Sequence, residues 1–259
     1  LGKIVSIFNQ KGGVGKTTTN INLSAYLASM GMNILTVDID PQGNTTSGLG
    51  IDKNELQYSI YDVIMGLPAK KAITSTKVKN LYILPSNVDL AGAEIELTSK
   101  QNREKKVKDA LNSIKDKYDY ILIDCPPSLG LLTINALCAS QSVLIPIQCE
   151  FYALEGVGQL MNTIQLVKKS LNKDLVIQGV VMSMFDGRTN LSIEVVEEVK
   201  KYFKNKVYTT IIPRNVKLAE APSYGLPIML YDKNSKGSEA YKELAEEFLE
   251  YDKGDATDE

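Results

Sequence analysis

The ten residues Asn9-Gln10-Lys11-Gly12-Gly13-Val14-Gly15-Lys16-Thr17-Thr18 constrain this chain more than any other stretch, because of what flanks them. An apolar run from Ile4 to Phe8 precedes them and a helix-like segment, Thr19 to Met30, follows, so the order reads strand, glycine-rich turn, helix start. Glycines let successive backbone N–H groups turn inward on an anion, and the following helix adds its positive end. In such a cradle Lys16 neutralises β- and γ-phosphate oxygens, and the Thr17 hydroxyl ligates Mg²⁺. The spacing departs from the usual phosphate loop: the glycines come early, and a second lysine, Lys11, stands before them.

A site of this kind needs acids at neighbouring strand ends, and the sequence offers two sets. Asn33 to Val37 is a short β-rich run ending in Asp38-Ile39-Asp40-Pro41-Gln42-Gly43-Asn44. Carboxylates at a strand's C-terminal end can hold a metal's water shell or orient an attacking water. Asp38 and Asp40 point to opposite faces if the strand persists, so they should do different work; Asp40 is the functional candidate, and Asp38 is equally well explained as a loop cap. Tyr120-Ile121-Leu122-Ile123-Asp124 is an unbroken apolar run closing on an acid, as a central parallel strand buried on both faces would be. Asp124 is expected to hold Mg²⁺ through water, opposite Thr17. The stiff turn Cys125-Pro126-Pro127-Ser128-Leu129-Gly130 follows as a candidate switch beside the γ-phosphate, with strand termination as the simpler alternative.

Elsewhere strands and helices alternate. Thr45 to Gly66 reads as a loop and then a short helix, and Leu81 to Pro85 as a strand. Val107, Ala110, Leu111 and Ile114 give Arg103 to Lys117 one apolar helical stripe with a solvated lysine face. Helix Leu131 to Ala139, strand Ser142 to Pro146, helix Leu154 to Ser170 and strand Val176 to Met184 continue the pattern. The loop Asp186 to Asn190, an amphipathic helix through Val195, Val199 and Phe203, and a strand from Val207 to Ile212 come next. Pro213-Arg214-Asn215-Val216-Lys217 is a loop placed to frame a base, and a last helix runs from about Ser238 to Leu249. This is doubly wound α/β architecture with a mostly parallel sheet.

With 259 residues and 44% hydrophobic content, the chain fits one large domain, assigned to residues 1–251, with an acidic tail at 252–259 expected to be disordered. No apolar run approaches the ~18–20 residues of a membrane-spanning helix, and a cytoplasmic protein is expected. Cys125, Cys138 and Cys149 lack metal-ligand spacing and read as reduced, buried thiols; the absence of histidine argues against a zinc site and against His-based chemistry. A net charge of −2 means that any nucleic-acid contact must come from a local patch.

Together, Lys11 to Thr18, Asp38 to Asn44, Ile121 to Gly130, Asp186 to Asn190 and Ile212 to Pro222 resemble the ParA/Soj family of chromosome and plasmid partition ATPases, over Lys3 to about Leu249. The deviant Walker A loop with its signature lysine is shared with MinD-type division-site ATPases and the iron protein of nitrogenase. Val37 to Asn44, Asp124 to Ser128 and Ile212 to Val216 look like the chromosomal Soj branch. The resemblance implies ATP and Mg²⁺ as cofactors, slow hydrolysis to ADP and phosphate, and an ATP-bound homodimer closed face to face. It further implies non-specific binding of double-stranded DNA, nucleoid association, and a ParB-like partner that stimulates hydrolysis. By matching position, Gly13, Val14, Gly15, Lys16, Thr17 and Thr18 hold the phosphates, Thr17 and Asp124 are the Mg²⁺ pair, and Asp40 positions the attacking water. Lys11 reaches the nucleotide of the other subunit, and Gly12 sits at the crowded subunit contact. Pro213, Arg214 and Asn215 lie beside the adenine, and Arg188 and Lys217 contact DNA; lysine at 217, where arginine is frequent, forks less well on a phosphate.

Two rivals make different demands. A MinD-like membrane-cycling ATPase needs a basic amphipathic C-terminus, where this sequence carries Glu239, Glu243, Glu246, Glu247 and Glu250. A metabolic or redox P-loop enzyme needs a substrate pocket, or a cysteine pair bridging an iron–sulfur cluster, for which Cys125 lies near the right region.

Overall fold

The computed structural model describes residues 2–150 and 153–255. Eight strands form one sheet: β1 Lys3–Ile7, β2 Ile34–Asp38, β3 Thr74–Ser75, β4 Leu81–Leu84, β5 Tyr120–Asp124, β6 Ser142–Gln148, β7 Val176–Phe185 and β8 Val207–Pro213. Their order is β3-β4-β2-β5-β1-β6-β7-β8, and every pairing except the short β3–β4 hairpin is parallel. From β1 the chain winds first to one side, through β2, and later to the other, through β6 to β8, so the topological switch lies at the C-terminal end of β1.

Both faces of the sheet are covered, which is why its central strands are continuously apolar. Side chains alternate between two cores: Ile4 and Phe8 of the β1 segment, Leu35, Val37, Ile121 and Ile123 face one, whereas Val5, Ile7, Ile34 and Leu122 face the other. The second core is closed by the helix Lys16–Ser29 and the terminal helix Lys236–Asp255. Two buried hydroxyl contacts clasp these helices together, Thr19 to Tyr241 at 3.1 Å and Tyr26 to Ser238 at 2.6 Å. The helix that starts at the phosphate loop is thereby fixed along its length.

Several boundaries differ from the sequence expectation. The first helix begins at Lys16 rather than Thr19, taking Lys16, Thr17 and Thr18 of the loop into its first turn. Arg103 to Lys117 is not one helix: Lys106–Asn112 is α-helical, flanked by 3₁₀ turns at Arg103–Lys105 and Lys115–Lys117. Asn102 in the left-handed region sets its start, and the weak helix formers Asn112 and Ser113 end it. Strand β6 continues through Pro146 to Gln148 because its pairing with β7 runs that far, although its β1 pairing ends at Leu144. Pro146 still pairs with Val181 of β7, and on the side where β1 has ended its carbonyl accepts from Asn9 Nδ2 at 2.8 Å.

The terminal helix runs past Leu249 to Asp255, so the start of the expected disordered tail is helical, and residues 256–259 lie outside the described residues. Asp252 explains the extension, since it accepts from Tyr120 Oη at 2.7 Å and pairs with Lys3. Replacing it by alanine is expected to lower the unfolding free energy by about 1–2 kcal/mol in urea titrations while leaving nucleotide affinity unchanged.

Candidate nucleotide site

The loop leaving β1 is held from outside before it holds anything itself. Asn9 donates to the Pro146 carbonyl and accepts the Lys11 N–H at 3.0 Å, and Ser183 Oγ donates to the Val14 carbonyl at 2.8 Å. Gly13 and Gly15 sit at φ of 77° and 90°, a region that side-chain-bearing residues rarely adopt. A Cβ added at Gly12 or Gly13 would meet nothing within 4 Å, so both glycines border open space. The helix that follows has no side-chain cap and no acid in its first turn, which leaves its amides free for an anion.

The two lysines have separate addresses. Lys16 is 7% exposed and donates to the Lys11 carbonyl at 3.1 Å. Burial pushes its pKa down, opposed by the charges of Asp124 and Asp40. Lys11 is half-exposed on the outside of the loop, where its Nζ lies 3.3 Å from Glu150 Oε2. Sequence reasoning missed this pairing, because nothing local links residues 11 and 150.

The acids divide as their alternation suggests. Asp38 is fully buried and works as an anchor: Oδ2 accepts from Thr46 N at 2.8 Å and Thr46 Oγ1 at 2.7 Å, and Oδ1 accepts from Asp40 N at 3.2 Å. Asp40 stands in the cleft that Gly12, Gly13, Lys16, Thr17 and Pro126 also line. Its loop is fixed by Gln42 N on Oδ1 at 2.9 Å and by Ser86 Oγ on its carbonyl at 2.8 Å. Asp124 is 1% exposed, and its Oδ2 accepts from Thr45 Oγ1 at 2.8 Å. Its Oδ1 is buried without a hydrogen-bond partner among the described residues, and burial first, then the neighbouring Asp38, pushes its pKa up.

An orphaned buried carboxylate oxygen beside the Thr17 hydroxyl fits a hard cation. Among the described residues no cluster of three or more acids or cysteines could hold a metal alone, so a cation here needs ligands from nucleotide and water as well. Magnesium takes this kind of incomplete protein site. The three cysteines are all buried and free, and burial raises the pKa of each.

A second, largely apolar cleft of about 360 Å³ adjoins the loop, lined by Gly15, Thr18, Met184, Pro213, Asn215 and Leu218. Asn215 spends its carboxamide oxygen capping the next helix, on Lys217 N at 2.9 Å and Leu218 N at 3.3 Å, which leaves the NH₂ for a ligand. Arg214 is exposed and held through its backbone N–H on the Phe185 carbonyl at 2.9 Å. Met184, at φ 53° where β7 loses register with β8, borders both clefts and carries no sequence signal of that strain.

Arg188 and Lys217 follow the ends of adjacent strands β7 and β8, on the same edge of the sheet. Neither is an idle charge. Arg188 forks onto Asp186 at 2.8 and 2.6 Å, holding that carboxyl down at about 2, and Lys217 pairs with Glu220 at 2.9 Å while lying over the Tyr231 ring.

A phosphate cradle at the switch point of a doubly wound sheet, with a buried lysine inside it and a metal-ready acid on the neighbouring strand, defines the class: a P-loop nucleoside triphosphatase. The comparisons narrow it. The family described as "AAA domain" matches residues 2–177. The chain is 60% identical to the sporulation initiation inhibitor protein Soj of Bacillus subtilis (strain 168), over 95% of this chain and 98% of that protein. It is 53% identical to the chromosome partitioning protein ParA of Myxococcus xanthus (strain DK1622), over 97% and 89%. Among solved structures, cobyrinic acid a,c-diamide synthase from Mycobacterium smegmatis with bound ADP and magnesium matches at TM-score 0.86 and 37% identity, covering 98% of this chain and 96% of that one. The Pyrococcus furiosus cell division ATPase MinD matches at TM-score 0.79 and 31% identity, covering 96% and 99%. The chain belongs to the Soj/ParA family of chromosome-partitioning ATPases, and MinD is a more distant relative.

The two exposed loop glycines should respond differently to a side chain. Gly12→Val is expected to keep the unfolding free energy of the isolated chain within about 0.5 kcal/mol, because the space is open and its φ is ordinary. Gly13→Val should lose about 1–2 kcal/mol in the same urea titration, because its φ is positive.

Proposed function

We propose that this ATPase is a dimer switch for DNA segregation, in which ATP binding joins two chains and hydrolysis releases them. The observation that carries the reading is the separation of the lysines: Lys16 is buried under the loop, whereas Lys11 is half-exposed outside it and, among the described residues, pairs with the half-exposed Glu150. A lysine placed there can serve a nucleotide held by another copy, once it leaves Glu150. Gly12, with open space where its side chain would be, then becomes the place where the partner comes close.

Within one chain, the amides of Gly13 to Thr18 and the Lys16 ammonium bind the phosphates, and Thr17 with Asp124 would hold Mg²⁺. The cation, when bound, offsets charge on the phosphate oxygens. Asp40 orients the attacking water, while the apolar cleft beside Pro213 and Asn215 receives the base. Catalysis is mainly positional, which suits a slow timer.

DNA is bound by the closed dimer through Arg188 and Lys217, and a ParB-type protein accelerates turnover at the nucleoid. Support comes from the position of both residues on one sheet edge and from the partition role of the family. Asp186 and Glu220 shield these cations in the single chain, so phosphate must compete with a carboxylate for each. That competition favours weak, salt-sensitive binding by one chain and strong binding only when two chains present their cations together.

Three measurements test the reading. Asp40→Ala should retain ATP binding and lose about 100-fold or more in steady-state hydrolysis; normal turnover would remove Asp40 from its role. Lys11→Ala should bind ATP yet stay monomeric by light scattering, and an ATP-dependent dimer of this variant refutes the intersubunit lysine. DNA binding in ATP should weaken with salt by a log–log slope of about −0.9 per phosphate neutralised, and Arg188→Ala should reduce that slope.

A further inference from the structure

Asp124 enters the site with one carboxylate oxygen already engaged, by residues that the reading above does not use. Thr45, the second residue of the short helix Asn44–Gly48, donates to Oδ2 at 2.8 Å. Thr45 Oγ1 accepts in turn from Asn20 Nδ2 at 3.2 Å, and the same amide donates to Thr36 Oγ1 at 2.6 Å. Asn20, Thr36 and Thr45 are all 0% exposed. Solvent does not compete for these bonds.

Chemistry fixes the direction of this chain. An ionised carboxylate only accepts, so the single Thr45 proton points to Asp124. Thr36 directs its own proton to the Leu122 carbonyl at 3.4 Å. Both threonine oxygens can then accept, and Asn20 faces them with its NH₂, which leaves its Oδ1 buried and without a partner among the described residues. A fold that retains an unsatisfied amide oxygen to supply two donors is using that amide's orientation.

We propose that Asn20 and Thr45 are positioning residues for the metal carboxylate: Asn20 polarises the Thr45 hydroxyl onto Oδ2, and this keeps Asp124 turned so that Oδ1 is free for the cation. The proposal rests on the reading of Thr17 and Asp124 as the Mg²⁺ pair. It adds a mechanical consequence, because Thr45 lies five residues after Asp40 on a helix that Asp38 anchors through Thr46. The relay ties the loop carrying Asp40 to the residue that holds the cation.

The test compares ADP affinity by calorimetry in Mg²⁺ and in EDTA, using the full chain and its Thr45→Val, Thr45→Ser and Asp124→Asn variants. Valine keeps the shape and removes the proton; serine keeps the proton. Thr45→Val should bind ADP in EDTA within about twofold of the parent but lose roughly tenfold of the tightening that Mg²⁺ brings, while Thr45→Ser retains it. The proposal is overturned if Thr45→Val keeps the full Mg²⁺ increment, if it weakens binding equally with and without Mg²⁺, or if serine does not rescue. If Thr45→Val does not fold, Asn20→Ala reads the relay from its other end, and an unchanged Mg²⁺ increment there overturns it equally. Asp124→Asn separates the two levels: an intact increment in that variant sinks the metal reading itself, whereas an abolished increment beside a normal Thr45→Val sinks only the relay.

Discussion

Because β5 lies between β1 and β2 in register with both, Asp124 is level with Ile7, where the phosphate loop begins, and with Asp38, where the acidic loop begins. Moving β5 by one residue would turn Asp124 from the cleft into the opposite face and reverse every core contact of Ile121, Leu122 and Ile123. Burial on both faces thus fixes the height of one carboxylate to within a residue. The loops on either side inherit that precision, since Thr45 and Thr46 bond to Asp124 and Asp38 respectively.

The same burial creates the site's chemistry. Lys16, Asp38 and Asp124 are charged groups taken largely out of water, which is unfavourable unless each is paired or hydrogen-bonded. Asp38 is fully answered by Thr46 and Asp40, and so it acts as structure. Lys16 has one carbonyl, and Asp124 has one hydroxyl and one bare oxygen. What distinguishes the anchor from the site residues is the number of hydrogen bonds left unmade.

The parts visible in the sequence are those whose signal is local. Glycine order, the position of Lys16 and the apolar run into Asp124 required nothing beyond neighbours in the chain, and periodicity then gave the alternation of strands and helices. What escaped depends on residues far apart: Glu150 beside Lys11, Thr45 on Asp124, and the terminal helix lengthened by Asp252 against Lys3 and Tyr120. Arg103 to Lys117 failed for a different reason. Its stripe had the right period, but Asn112 and Ser113 broke the backbone that the stripe assumed. The two-residue strand β3 is too short to have a period at all.

An incomplete set of partners at Lys16 and Asp124 has a thermodynamic corollary. A ligand that supplies phosphate oxygens to the lysine and a cation to the carboxylate binds the folded chain and not the unfolded one, so it raises stability by RT ln(1 + [L]/Kd). The groups it satisfies sit at the ends of β5 and the first helix, and these touch the Asp40 loop through Thr45 and the Lys11 carbonyl through Lys16 Nζ. Filling the cleft therefore acts on both loops that face outward. Lys11 shares its backbone with the Lys16 acceptor while its side chain rests on Glu150, so a phosphate that draws Lys16 away from the Lys11 carbonyl loosens the segment that presents Lys11. On the proposed dimer reading, nucleotide binding in one chain and the availability of its lysine to another are coupled through that single carbonyl.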